Sequence, residues 1–268
     1  MNNDIEISYL DLSSIYAAEA VTLHEQVFRD EFIARLGVRF LHRYYRAFAE
    51  SPYAVALIAV SPSGALAGAL LGTLDPGNHY QWLIRKHGLG LAAAVLEQSI
   101  RHPSVARMLI RTRLKRYVSG VMRQFIKRSG VATANPDSGY SVRATQTIGH
   151  VSAKAPKVGD ITHLFVNPGL RSKGVGASLV RAYEHLATRF GIRRIDLVTL
   201  PPTEGGAGPF YEKLGWTFAQ TRVSRSGETF HLYQKWIEPS LGNIAQHRNK
   251  IAYNPGRETR DMALIRQK

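Results

Sequence analysis

"LFVNPGLRSKGVGASLVRAYEHLATRFG", residues 164–191, decides how the rest of the chain is read. A short apolar run ends at Asn167–Pro168, a glycine-rich turn follows, and an amphipathic helix opens directly from it. Arg171, Gly174 and Gly176 make the pattern R-x-x-G-x-G between a strand and a helix, the setting that a phosphate-binding turn requires. Glycines there let backbone N–H groups approach a ligand without a Cβ in the way. The first helical turn carries unpaired N–H donors and the positive end of the helix dipole, so a diphosphate suits it. The spacing is neither G-x-x-x-x-G-K-[ST] nor G-x-G-x-x-G. Such a turn also serves simply to let a helix pack on a strand, so the motif alone leaves both roles open.

Working outward, "IEISYL" (5–10) alternates as a strand, and residues 14–28 have helical spacing after a serine start. "DEFIARLGVRFLHRYYRAFAES" (30–51) is a second helix, broken or bent near Gly37 and stopped by Pro52. Residues 53–61 and 65–75 read as two strands joined by turn residues. Helical patterning fills 78–129, with an apolar stripe from Tyr117 to Ile126, and 129–159 is a polar, turn-rich loop. Strands at 160–166 and 193–200, a short helix in "AGPFYEKLGW" (207–216), and strands at 217–224 and 228–237 complete the order. The fold class is α/β with a mixed sheet and a right-handed βαβ crossover. Residues 1–237 read as one domain that includes the 78–159 insertion, and 238–268 as an aperiodic, mobile or docked extension.

Composition removes several chemistries. With no cysteine, there is no disulfide, thiolate metal site or cysteine nucleophile, and no metal site is expected. The start of the chain lacks a signal-peptide layout, and no uncharged apolar stretch reaches the length of a membrane span; a cytoplasmic protein is expected. The 268 residues carry 35 Lys+Arg against 20 Asp+Glu. Between His79 and Ser129 stand eleven basic residues and one acid, Glu97, so this segment holds most of the excess. Such a field attracts an acidic partner.

Two motifs together, "LFVNPGLRSKGVGASLV" and "FYEKLGW", resemble the GNAT superfamily of acyl-CoA-dependent N-acyltransferases. The resemblance covers the element order from 5 to 237. It implies a sheet whose fourth and fifth strands splay to admit a cofactor, with the basic helical segment inserted between the third and fourth. It implies that the loop Arg171, Ser172, Lys173, Gly174, Val175, Gly176 binds the diphosphate of acetyl-CoA, or of a longer acyl-CoA, through backbone amides, assisted by Ala177. Leu164, Phe165 and Val166 would pair with the pantetheine amides as an added strand does, with a backbone N–H near Phe165 or Val166 holding the oxyanion. Tyr211 matches the family tyrosine beside the thioester sulfur, where a phenol protonates or hydrogen-bonds the leaving thiolate. One departure is Glu204, which stands where the family often has a cofactor-contacting asparagine.

Amine acylation requires a deprotonated nitrogen. Asp160 and His163 are the candidate bases, and strict alternation puts them on opposite faces of their strand, so one of the two faces the acceptor; water alone is the third option. The expected activity is acyl transfer from acyl-CoA to a small-molecule or peptide amine by direct attack in a ternary complex. The alternatives are transfer of a longer chain from an acyl carrier protein, and a non-catalytic CoA-binding scaffold. The basic segment 79–129 suits an acyl carrier protein or an anionic membrane surface, with a peripheral location in the latter case. Its few interleaved aromatics argue against nucleic acid.

Overall fold

The computed structural model describes residues 5–29, 31–112, 157–224, 227–238 and 251–252. The chain forms two compact units, one of residues 1–98 with 156–268 and one of residues 99–155. The elements are β1 (Glu6–Tyr9), α1 (Ile15–Val27), α2 (Phe32–Arg35), α3 (Val38–Glu50), β2 (Ala54–Val60), β3 (Leu66–Thr73), α4 (Pro76–Arg101) and α5 (Pro103–Thr112). Further along the chain come β4 (Val158–Val166), α6 (Val175–Arg189), β5 (Arg194–Thr199), α7 (Gly208–Lys213), β6 (Thr217–Val223), β7 (Thr229–Trp236) and β8 (Ile251–Ala252). The apolar stripe at 117–126, most of the basic cluster and the loop to 156 lie outside the described residues, as does the tail apart from β8.

The sheet runs in the order β6-β7-β5-β4-β3-β2-β1-β8, mixed as expected, with β4 and β5 parallel. Every residue of β3 and all but the last of β2 are buried, because helices cover both faces there. On one face α6 buries Leu179, Val180, Tyr183 and Leu186 against Leu57, Leu70, Ile161 and Ile195. On the other, α1 and α3 bury Val21, Leu41, Tyr45 and Phe48 against Ile58, Leu71 and Phe165. The spacing of Leu41, Tyr44, Tyr45 and Phe48 gives α3 one continuous apolar face. The break near Gly37 is a left-handed residue (φ 90°) between α2 and α3, a conformation glycine adopts without steric cost.

Tyr183 fixes the middle of the sheet. Its hydroxyl donates to the carbonyls of Thr73 (2.6 Å) and Asp160 (3.2 Å), one on each of two neighbouring strands. The ring fits because Gly72 and Gly159 lie beneath it: a Cβ on Gly72 would stand 2.5 Å from the ring, and one on Gly159 2.7 Å from the hydroxyl. A helix thus sets the height at which the polar residues of β3 and β4 sit.

Candidate active site

β4 and β5 pair only from Val158–Arg194 to Ile161–Leu197. Beyond that, β4 stays with β3 as far as Val166–Gly68, while β5 stays with β7 as far as Thr199–His231. Each strand follows a different neighbour, so a gap opens between them. Asn167 donates its N–H to the Ala67 carbonyl on the β3 side (2.8 Å). Antiparallel alternation then directs Phe165 to β3 as well and turns the N–H and C=O groups of Leu164 and Val166 into the gap. An unpaired strand edge accepts an extended, amide-bearing ligand.

The loop after β4 closes one end of this gap. Asn167 caps the turn Pro168–Leu170 by accepting from the Gly169 N–H (3.1 Å). Ser172 (φ 60°) and Gly174 (φ 84°) are left-handed, and Gly174 is the N-cap of α6. Left-handed residues on either side of Lys173 turn successive amides toward a common concavity, the geometry of an anion nest. Among the described residues, no N–H group from Ser172 to Ala177 has an acceptor. A Cβ on Gly176 would lie 3.2 Å from the Phe210 ring, so this glycine also lets α7 approach the loop. Helix packing, one of the two roles the sequence left open, is thus served by this glycine.

Tyr211 is buried on α7, between Phe210 (ring centroids 4.9 Å apart) and Trp216 (5.6 Å). The helix is pinned from both ends. Glu212 accepts from the Tyr233 hydroxyl (3.0 Å), and Lys235 bridges the Leu214 carbonyl (2.8 Å) to Glu184 on α6, which also accepts from the Trp216 indole (2.9 Å). The Tyr211 hydroxyl has no hydrogen-bond partner among the described residues. Burial and then the nearby Asp160 charge raise its pKa, which keeps the phenol protonated and fit to donate. Glu204 is exposed in the short turn Pro202–Glu204.

The expected separation of Asp160 and His163 onto opposite faces is overturned. The β3–β4 register slips between Leu71–His163 and Gly72–Ile161, so Thr162 is an extra residue in β4. This bulge resets the alternation. Ile161 faces the α6 core, but His163 and Phe165 face α1 and α3, and Asp160 shares their face. His163 is buried there, its Nε2 in a hydrogen bond with the Tyr44 hydroxyl (3.2 Å) and its ring 4.9 Å from that of His24. Burial, then the proximity of His24, lowers its pKa to about 3, so it stays neutral and is a poor base. Asp160 is half-buried and moves the other way: burial lifts it, the Thr162 hydroxyl (3.2 Å) partly offsets this, Asp196 lifts it further and Arg222 lowers it, to about 6. A carboxylate there is poised for proton transfer near neutral pH.

The buried histidines carry a stability consequence. Burial lowers His24 and His79 to about 4, whereas each imidazole, like His163, titrates near 6.5 when unfolded. Between these values the unfolded chain binds more protons, so stability present above pH 6.5 is lost as pH falls toward 4. Asp160, raised from 3.8 to about 6, opposes this, because its folded form holds the extra proton between those values. Three groups outweigh one. The thermal midpoint is expected to fall steadily between pH 6.5 and 4.5 in melts followed by circular dichroism; a flat midpoint would contradict neutral burial.

Sequence reading missed the polar row beside Asp160. Thr73, Asp160, Asp196 and Gln234 are successive register partners on β3, β4, β5 and β7. Asp196 accepts from Arg194 (2.8 and 3.2 Å) and from Gln234 (3.1 Å). The available signal was polar residues at matching offsets in otherwise apolar strands, which needs the register to be seen. Among the described residues no cluster of metal-ligating side chains occurs, and no helix is long and apolar enough to cross a membrane.

Residues 127–216 match the family model described as Acetyltransferase (GNAT) family, a span that contains β4, the amide loop, α6, β5 and α7. No curated protein matches the chain. Among solved structures the chain is similar to an aminoglycoside 6'-N-acetyltransferase complexed with coenzyme A, with 13% identity over 87% of this chain and 97% of that chain, TM-score 0.48. It is also similar to a GCN5-related N-acetyltransferase from Kribbella flavida (11% identity, 87% and 98% covered, TM-score 0.49). A third is Ard1 from Thermoplasma volcanium (11% identity, 88% and 99% covered, TM-score 0.45).

Proposed function

We infer that this chain, an acetyltransferase of the GNAT family, transfers an acyl group, most simply acetyl, from acyl-CoA to a small-molecule or peptide amine by direct attack. The observation that carries the reading is that, among the described residues, the strand edge at Leu164–Val166 is unpaired and leads to a run of amides at Ser172–Ala177 without acceptors. These fit the two polar stretches of CoA: the pantetheine amides along β4, and the diphosphate at the mouth of α6, with Arg171 and Lys173 adding charge. The bound donor supplies an activated thioester carbonyl.

The chain's own groups then have separate tasks. The Val166 N–H, aimed into the gap, stabilises the oxyanion that develops on that carbonyl. Asp160 accepts the proton that the attacking amine must lose, and its pKa of about 6 suits that role. Tyr211 donates its phenolic hydrogen bond to the departing thiolate. His163 is withdrawn as a base and becomes part of the aromatic packing under the acceptor face. With no cysteine in the chain, an acyl-cysteine intermediate has no place in the reaction. Release of CoA thiol from acetyl-CoA, followed against a panel of primary amines and N-terminal peptides, tests the reading. Amine-dependent release is expected; release equal to the no-amine background across a broad panel counts against it.

A further inference from the structure

Among the described residues, α1 and α3 cover part of the face that carries Asp160. Their core takes residues from β2, β3 and β4 and none from β5, β7 or β6. Ile195, Leu197 and Tyr233 belong to the core under α6, on the opposite face. Alternation and register therefore direct Val198 of β5, Phe230 and Leu232 of β7, and Gln220 and Arg222 of β6 to the Asp160 face. They form a floor beside the gap between β4 and β5. Val198 is 48% exposed, Phe230 is half-buried, and Gln220 and Arg222 are exposed. The cations on this floor differ. Arg194 is paired with Asp196 (2.8 Å) and lies over the Trp236 ring (5.7 Å). Arg222 has no carboxylate partner among the described residues. Its guanidinium turns back along β6 to Gln220, whose amide oxygen, oriented toward it, accepts from Nε (3.1 Å) and Nη2 (3.3 Å). Gln220 pairs with Leu232, and Leu232 with Val198, so the cation lies toward the apolar middle of the floor. It is near enough to Asp160 for its charge to lower the carboxyl pKa. A carboxylate at the gap and an unpaired guanidinium on the edge strand thus bound one open apolar surface.

We propose that Arg222 binds an anionic group of the acceptor, so that the acceptor is a primary amine that also carries a carboxylate or a phosphate, as an amino acid does. The inference rests on the acyl-transfer reading above. With its amine beside Asp160, such an acceptor lays its carbon chain on Val198 and Phe230 and its anion on Arg222. A guanidinium meets carboxylate or phosphate oxygens with parallel N–H donors, and Arg222 has donors to spare beyond those given to Gln220. A diamine would set its second charge against a like charge, so the same residue selects against polycations.

The test uses acceptors that differ in the anion: phenylalanine against phenylalaninamide, γ-aminobutyrate against γ-aminobutyramide, phosphoethanolamine against ethanolamine, and cadaverine as the diamine. Thiol release from acetyl-CoA is followed with the full chain and with Arg222→Gln and Arg222→Lys, at a pH well above the Asp160 midpoint of about 6. Arg222 is exposed, so both variants are expected to melt with the wild type. The wild type is expected to favour the acid of at least one pair by about tenfold or more in kcat/KM. That ratio is expected to fall to about one in Arg222→Gln and to fall in part in Arg222→Lys, which keeps the charge but not the paired donors. The pair that shows it tells carboxylate from phosphate. If the wild type acylates the neutral amines or cadaverine as well as every acid, or if its preference survives in Arg222→Gln, the proposal is overturned while acyl transfer stands. If no amine of any charge promotes thiol release, the acyl-transfer reading fails and takes this one with it.

Discussion

Asp160→Asn is expected to lower turnover by a factor of about a hundred or more while acetyl-CoA binding stays unchanged. The amide keeps the size of the carboxyl and its contact with Thr162 but cannot accept a proton. The pH profile supplies the sharper test. In the wild type the rate rises as the carboxyl ionises near pH 6, because only the carboxylate acts as a base; the variant's residual rate loses that limb. Stability moves in the opposite sense. Asp160 titrates at a higher pH folded than unfolded, so its ionised form costs stability once the pH exceeds about 6. At pH 7 the neutral asparagine is therefore expected to melt at or above the wild-type temperature. An inactive but equally stable variant separates a destabilised working group from a structural one. Full turnover in Asp160→Asn would leave the proton to bulk water.

Tyr211→Phe is the second large effect, with kcat expected to drop roughly ten- to a hundredfold and acetyl-CoA affinity to change little. The asymmetry follows from the site. The ring is packed between Phe210 and Trp216, contacts that phenylalanine preserves, whereas the hydroxyl has no partner to lose among the described residues. On the proposed role, its removal affects the departing thiolate and not the packing. Single-turnover thiol release beside a binding titration separates the two quantities. A proportional loss of affinity would mean that the phenol holds the donor and does not assist its departure.

The element order was legible in the sequence because each element shows its period: alternation in 5–10, the i, i+3, i+4 face of Leu41 to Phe48, and the glycine turn ahead of α6. The splay of β4 and β5 was reachable only through resemblance, since it arises from which neighbour each strand keeps. The face of His163 was misread for a definite reason. A one-residue bulge at Thr162 leaves no mark in composition, yet it moves every later side chain to the other face. Thr73 and Asp196 went unnoticed for the same kind of reason. Each is an ordinary polar residue in its own strand and joins the site only when the register aligns it with Asp160.

The central claim is that the amides of Ser172–Ala177 hold the diphosphate of CoA at the mouth of α6. Calorimetric titration with acetyl-CoA, set beside S-acetylpantetheine, which has the thioester arm but no diphosphate, tests it most directly. Acetyl-CoA is expected to bind with a Kd on the order of micromolar, and the truncated thioester at least about a hundredfold more weakly. Equal affinity for the two, or no heat with acetyl-CoA at all, would contradict the claim and leave the loop a packing turn between β4 and α6.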